Sequence, residues 1–241
     1  MAKEDVTSAD SEWKKIQQNT FTRWCNEHLK AVDLYVYNLE TDFRDGLKLI
    51  ALLQVLTHKK IGRYSKRPLF KSQKMENVAI SLRFIEDQTI QLVNIDASDI
   101  VKGNLKMILG LVWALILKYS VSTPLYDDKG DLTPKQKLLA WVNEKIPDFS
   151  IKNFSTDWNN GRAVCALIDA CAPGLCPAWE ESNETLENVQ KAMKLAEDWL
   201  GVPQVVIPED IVNPKIDEFS VMTYMSYFVK AKVKAGAPLA N

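Results

Sequence analysis

The chain contains two versions of one text. Phe21, Trp24 and Leu29 lie on an amphipathic helical pattern and are followed by Thr41-Asp42-Phe43-Arg44-Asp45-Gly46-Leu47. Farther on, Leu138, Trp141 and Ile146 are followed by Thr156-Asp157-Trp158-Asn159-Asn160-Gly161-Arg162. Glu76-Asn77-Val78 returns as Glu187-Asn188-Val189, and Asp99-Ile100-Val101 as Asp210-Ile211-Val212. The offset drifts only from 117 to 111, as short loop deletions produce. Such a chain folds as two copies of one domain, because arrays of small units repeat every 20 to 50 residues or so. With 241 residues, each copy is long enough to bury its own core without staples.

Both copies read as helical. The apolar positions predict helices over 13–29, 47–56, 75–88 and 104–119 in the first copy, with a short turn of helix starting at Asp96 to Asp99. In the second, Thr133 caps a helix with Pro134 at its first position. Further helices are expected over 161–171, 186–200 and 218–233. Val205-Val206-Ile207, between Pro203 and Pro208, reads as an extended connector. The expected fold class is all-α, each copy having about four main helices plus short ones. The copies span 14–120 and 133–234, with a Pro/Asp/Gly-rich linker over 121–132. Residues 1–12 read as flexible, and the tail from Lys234 as a linker leaving the domain.

Charge and cysteine usage narrow the function classes. Through Ser120 there are 18 Lys/Arg against 14 Asp/Glu, and beyond it 12 against 17. A mildly basic first copy suits an acidic protein surface but falls short of the charge of a dedicated nucleic-acid binder. Cys25 and Cys165 sit in apolar helical patterns, and no secretory signal precedes them, which points to a reducing cytosol. The apolar run 105–117 is too short to span a bilayer. His28 and His58 have no partners at metal-ligand spacing. Asp127-Asp128-Lys129-Gly130-Asp131 mimics half a calcium loop, but Leu138 stands where the bidentate Glu is needed. With no glycine-rich phosphate loop and no nucleophile–base pair, neither an enzyme nor a cofactor is expected.

The sharpest local pattern is Gln17-x-x-Thr20-Phe21-x-x-Trp24-x-Asn26. Phe21 and Trp24 belong in a core, which leaves Lys14, Gln18, Thr22 and Arg23 on the polar face. This pattern resembles the first actin-binding signature of tandem calponin-homology proteins. Leu92-x-Asn94-Ile95-Asp96-Ala97-x-Asp99-Ile100, continuing to Met107-x-Leu109-Gly110-Leu111-Val112-Trp113, resembles the second. The chain from about Lys14 to the tail resembles the actin-binding region of filamins, with 16–29, 104–117, 172–177 and 220–224 favouring filamins over spectrin, actinin or plastin relatives. Lys102 departs from the pattern, standing where the family usually has a small or acidic residue, and the linker is short.

The resemblance implies F-actin binding by the first copy, enhanced and regulated by the second, in a cytoplasmic crosslinker of the actin cytoskeleton. It implies contacts from Lys14, Gln18, Thr22 and Arg23 and from Lys102, Asn104, Lys106, Met107, Leu109 and Gly110. The helix over 104–119 is apolar almost all round, whereas its counterpart carries Glu218, Ser220, Thr223 and Ser226, so the second copy reads as having lost an apolar surplus. Lys59, Lys60, Arg63, Lys66, Arg67, Lys71 and Lys74 form a basic run with no acid among them. That run is either a solvated loop or a surface for actin or anionic phosphoinositide lipids, with Phe70 as its anchor. The resemblance also suggests an interdomain latch in which Trp113 meets Lys135, near Glu218. The fragment is expected to be a monomer, with dimerisation residing elsewhere in a longer protein. A lipid- or signalling-adaptor module is the main alternative; a microtubule-binding module and an enzyme rank lower.

Overall fold

A computed structural model describes residues 2–125, 132–176 and 185–240, with side chains from Glu12 onward. Among them every regular element is helical. Half of the expected linker (126–131), with the half calcium loop at 127–131, and Pro177 lie outside the described residues. The elements are α1 (Ala2–Leu29), α2 (Leu39–Asp42), α3 (Leu47–Thr57), α4 (Lys71–Asp87), α5 (Ala97–Lys102) and α6 (Leu105–Ile116), which runs on as a π turn, Leu117–Ser122. Then come α7 (Pro134–Lys145), α8 (Arg162–Cys171), α9 (Thr185–Leu195) with its π turn Ala196–Leu200, α10 (Pro208–Ile211) and α11 (Glu218–Phe228).

The helices gather into two units. One is contiguous, residues 21–119; the other joins 1–20 to 120–241. The contiguous unit buries Phe21, Trp24 and Leu29 of α1 together with Leu49, Leu52, Val78, Ile85, Ile108, Leu111, Val112 and Leu115. The discontinuous unit buries Leu138, Val142, Trp158, Val164, Leu167, Val189, Met193, Val221 and Tyr224. In it, α1 is held from far along the chain. Glu12 accepts from Asn213 Nδ2 (2.8 Å) and Lys215 Nζ (2.7 Å), and Gln17 donates to Asp217 Oδ1 (2.9 Å).

The repeat persists down to single hydrogen bonds. Asp42 Oδ2 accepts from the backbone N–H groups of Tyr37 (2.7 Å) and Asn38 (3.2 Å); Asp157 Oδ2 does the same for Lys152 (2.7 Å) and Asn153 (3.1 Å). The amide of Asn26 bonds Val36 O, and that of Asn143 bonds Ile151 O. Phe43 and Trp158 plug the two cores. Gly46 (φ 77°) and Gly161 (φ 70°) begin α3 and α8 in the left-handed region, where a side chain is strained. A Cβ on Gly46 would stand 2.7 Å from Asn77 Cβ, and one on Gly161 2.3 Å from Val189 Cγ2. The Asp-aromatic-x-x-Gly turn is thus the seat on which α4 or α9 packs. Trp141 is where the copies part: Trp24 is fully buried, but Trp141 is half-exposed with Lys145 Nζ 6.0 Å from its ring centre.

Several boundaries differ from expectation. α1 begins at Ala2, so residues 2–12 are helical rather than flexible; once 13–29 is helical, each added residue gains a backbone bond without new nucleation. α4 begins at Lys71 because Gln73 Oε1 accepts from the N–H groups of Leu69 (2.9 Å) and Phe70 (3.0 Å). With its π turn, α6 forms an 18-residue apolar helical run, longer than expected, yet Ile108, Leu111, Val112 and Leu115 lie in the core of their unit. α11 stops at Phe228, not at 233.

Two readings of the second copy are corrected. The tail does not leave its unit. Lys234 N–H bonds Trp199 O (2.8 Å), its ammonium caps Glu197 O (3.3 Å) and Asp198 O (2.6 Å), and Ala240 N–H bonds Gly174 O (2.7 Å). Carbonyls at the end of a helix need donors, and this lysine supplies them. Nor do Ser220, Thr223 and Ser226 form a polar surface: all three are buried. Thr223 Oγ1 donates to Phe219 O (2.6 Å) and Ser226 Oγ to Thr223 O (2.7 Å), so the helix backbone absorbs their polarity.

Candidate protein-binding surface

The α5–α6 corner of the contiguous unit is built by its caps. Asp96 Oδ1 accepts from the N–H groups of Ser98 (2.7 Å) and Asp99 (3.2 Å) and so starts α5. The Ser98 side chain and these backbone donors hold the Asp96 carboxyl below its usual range. Gly103 (φ 78°) ends α5, and a Cβ there would stand 2.5 Å from Arg44 Nη2 and 2.6 Å from Glu40 O. The turn is therefore pressed onto α2, which fixes the start of α6. Asn104 Nδ2 donates to Asp99 Oδ1 (3.2 Å).

That corner presents Lys102, Asn104, Lys106 and Gly110 to solvent, with Met107 half-buried. Gly110 leaves a bare strip on α6, since a Cβ there would meet only Ile95 Cδ1, at 3.6 Å. Leu109 departs from its expected role: at 6% exposure it belongs to the core and supports the surface from beneath. Trp113 is half-buried and stacks on Phe21, with centroids 6.2 Å apart and planes within 9°.

On α1, Lys14 is exposed, with its ammonium 5.4 Å from the centre of the Trp13 ring, and Gln18, Thr22 and Arg23 are half-buried. Lys14 and Gln18 fall in the discontinuous unit, Thr22 and Arg23 in the contiguous one. Arg23 keeps Nη1 buried without a hydrogen-bond partner. His28, on the same helix, packs edge-on against Trp24 at 4.7 Å, and burial pushes its pKa down to about 4. In the discontinuous unit Lys135 and Glu218 form an ion pair.

The basic run is displayed on one loop and the start of α4. Lys59, Lys60, Arg63, Lys66, Arg67 and Lys71 are exposed, and Lys59 Nζ donates to Gln88 Oε1 (2.7 Å). Phe70 does not anchor this loop: it is 68% exposed, beside Leu69 at 82%. The anchor is buried Asn77. Its Nδ2 donates to Ser65 O (2.9 Å) and Asp45 O (3.0 Å), and its Oδ1 accepts from Ser65 N–H (2.9 Å). No group of three or more His, Cys, Asp or Glu among the described residues is placed to hold a metal.

The calponin homology (CH) domain pattern matches residues 15–121 and again 132–234. The chain belongs to the CH domain family. It is 54% identical to Filamin-A of Drosophila melanogaster over 99% of this chain and 11% of that protein. It is 55% identical to Filamin-C of Rattus norvegicus over 96% of this chain and 9% of that protein. Alpha-actinin-3 of Homo sapiens is 38% identical over 92% of this chain and 25% of its own length. The chain thus spans about a tenth of the filamins it matches. The actin-crosslinking core of Schizosaccharomyces pombe fimbrin shares the fold, with a TM-score of 0.66 at 22% identity, covering 88% of this chain and 49% of that one.

Within the first CH domain, the sequence reading passed over Tyr35 and Tyr37. They are exposed at 53% and 82%, their rings are 4.7 Å apart, and Lys48 Nζ lies 5.8 Å from the Tyr37 ring centre. The signal was there: a Tyr-x-Tyr pair in the loop after the first helix, where the second CH domain has Ser150 and Lys152. Lys15, exposed beside Lys14, was also missed.

Proposed function

We propose that this chain is the F-actin-binding region of a filamin-like crosslinker. The observation that carries the reading is similarity to filamins along essentially the whole chain, at 54–55% identity. The α5–α6 corner supports it, with three polar or basic side chains around a bare glycine on a fixed turn. In this reading Lys14, Gln18, Thr22, Arg23, Lys102, Asn104, Lys106, Met107 and Gly110 meet the filament, joined by Lys59, Lys60 and Lys71. The first CH domain, taken as 14–120, binds, and the second, taken as 133–234, enhances and regulates. Trp113 of the first domain and Lys135 and Glu218 of the second are the regulatory residues in this reading, so Trp113→Ala raises filament affinity. The fragment acts as a monomer of the actin cytoskeleton, and crosslinking comes from parts of a longer protein.

Co-sedimentation with actin filaments over a salt series tests this. Saturable pelleting that weakens with salt and with Lys106→Glu is expected, because exposed charges are screened within about 10 Å at 0.1 M salt. A folded wild type that fails to pellet, alone and with Trp113→Ala, would sink the reading. A second reading, docking on an anionic phosphoinositide surface, is favoured by exposed Leu69 and Phe70 inside the basic run. Pelleting with phosphoinositide vesicles, abolished by Leu69→Ser/Phe70→Ser and competed by actin, is its expected result.

A further inference from the structure

The loop after α8 brings two cysteines together. Cys165 is buried on α8, one turn before Asp169, so the two residues share a helix face. Asp169 Oδ1 accepts from the N–H groups of both Gly174 and Cys176, each at 3.0 Å. This folds the segment 172–176 back along the helix. The result is a side-chain hydrogen bond from the Cys165 thiol to the half-exposed Cys176 sulfur. The Cys165 S–H has Asn188 O as a second acceptor, at 3.9 Å. All four cysteines are free.

We infer that Cys165 and Cys176 are an oxidation-sensitive thiol pair that a hydroperoxide converts to an intrachain disulfide. The thiolate is the reacting form, and the pair divides the roles. The hydrogen bond from Cys165 favours the Cys176 thiolate, lowering its pKa against the opposing effects of burial and Asp169. Cys171 is less ready, its thiol pushed up to about 11 by burial, and fully buried Cys25 is pushed up farther by the same cause.

The Cys176 thiolate attacks the distal peroxide oxygen, the O–O bond breaks, and the alkoxide or hydroxide leaves with a proton from solvent. Cys176 is now a sulfenic acid. Cys165 gives up its proton and attacks that sulfur, the S–O bond breaks, and hydroxide leaves as water. In sum, two thiols and one hydroperoxide give one disulfide, one alcohol or water, and one water. The bridge that forms has an S–S bond of about 2 Å. The bridge ties α8 to the loop whose Gly174 carbonyl holds the tail through Ala240.

The reduced full chain is treated with hydrogen peroxide, its remaining thiols are alkylated under denaturing conditions, and the peptides are mapped. A 165–176 crosslink forming first, a loss of two hydrogens from the intact mass, and a rise in Tm reversed by dithiothreitol are expected. Cys176→Ser, at a half-exposed loop position, abolishes all three. In Cys165→Ala, checked for folding by its melting curve, dimedone traps a lasting sulfenic acid on Cys176. If that variant does not fold, the order of oxidation in the wild type decides alone. Oxidation of Cys171 ahead of Cys176, or an oxidised Cys176 with Cys165 still alkylatable, would overturn the proposal.

Discussion

Acidification tests the reasoning at His28. Burial is the main cause that lowers its pKa from the ordinary 6.5 to about 4; Glu27 opposes this and Lys30 adds to it. Between those values the unfolded chain carries the proton and the folded chain does not. Stability therefore rises with pH through this window, is fully present above about 6.5, and is lost as pH falls toward 4. At about 1.36 kcal/mol per unit, the whole shift corresponds to roughly 3 kcal/mol, of which about 2 is lost by pH 5. Asp42 and Asp96 are held below their ordinary 3.8, Asp42 because the Tyr37 and Asn38 N–H groups and Lys48 outweigh its burial, so their loss comes mainly at lower pH. The assay is urea unfolding from pH 7 to 5, followed by the fluorescence of Trp24 and Trp113, for wild type and His28→Phe. The wild type should lose about 2 kcal/mol more than the variant over that span. Equal slopes would refute the argument, as would a His28 imidazole that titrates by NMR near pH 6.5.

Gly110→Ala should raise stability by about 0.5–1 kcal/mol in thermal melts, since a helical glycine is replaced where the nearest atom is 3.6 Å away, yet weaken filament pelleting if the bare strip is a contact. Asn77→Ala should cost about 2–4 kcal/mol in urea unfolding, because half-buried backbone partners at Asp45 and Ser65 lose their bonds to a buried side chain. It should also speed amide exchange at Ser65. Gly161→Ala should cost at least about 2 kcal/mol in the discontinuous unit, from left-handed backbone and the approach to Val189, and leave the melting of the contiguous unit unchanged.

Legibility in the sequence followed the range of the interaction. Asp96 before α5, Thr133 before α7 and the glycines at 46 and 161 act within one turn of chain, and their chemistry could be read directly. Buried apolar faces were readable because period alone reveals them. Polarity misled wherever a neighbour on the same helix could satisfy it, the backbone for Thr223 and Ser226 and the Asp217 carboxylate for Ser220. Apolarity misled at Leu109, which points inward, and at Phe70, which points outward. The tail was misread because its partners, the carbonyls of Glu197 and Asp198, are far away in sequence. For the candidate surface, the resemblance named Lys102, Asn104, Lys106 and Gly110, which are exposed, whereas Tyr35 and Tyr37 were hidden by the habit of assigning aromatics to cores.

The grip of Asp217 on Gln17 bears on how the chain is made. During synthesis, residues 21–119 emerge as a complete unit, with every partner it needs already outside the ribosome. The first half of α1 emerges before them and waits, because its hydrogen-bond partners at 213–217 are translated about 200 residues later. Contacts so distant in sequence close slowly. The first half of α1, made before the contiguous unit, is thus placed after it. A nascent chain stalled before Asn213 should hold a folded contiguous unit with a protease-sensitive amino-terminal arm.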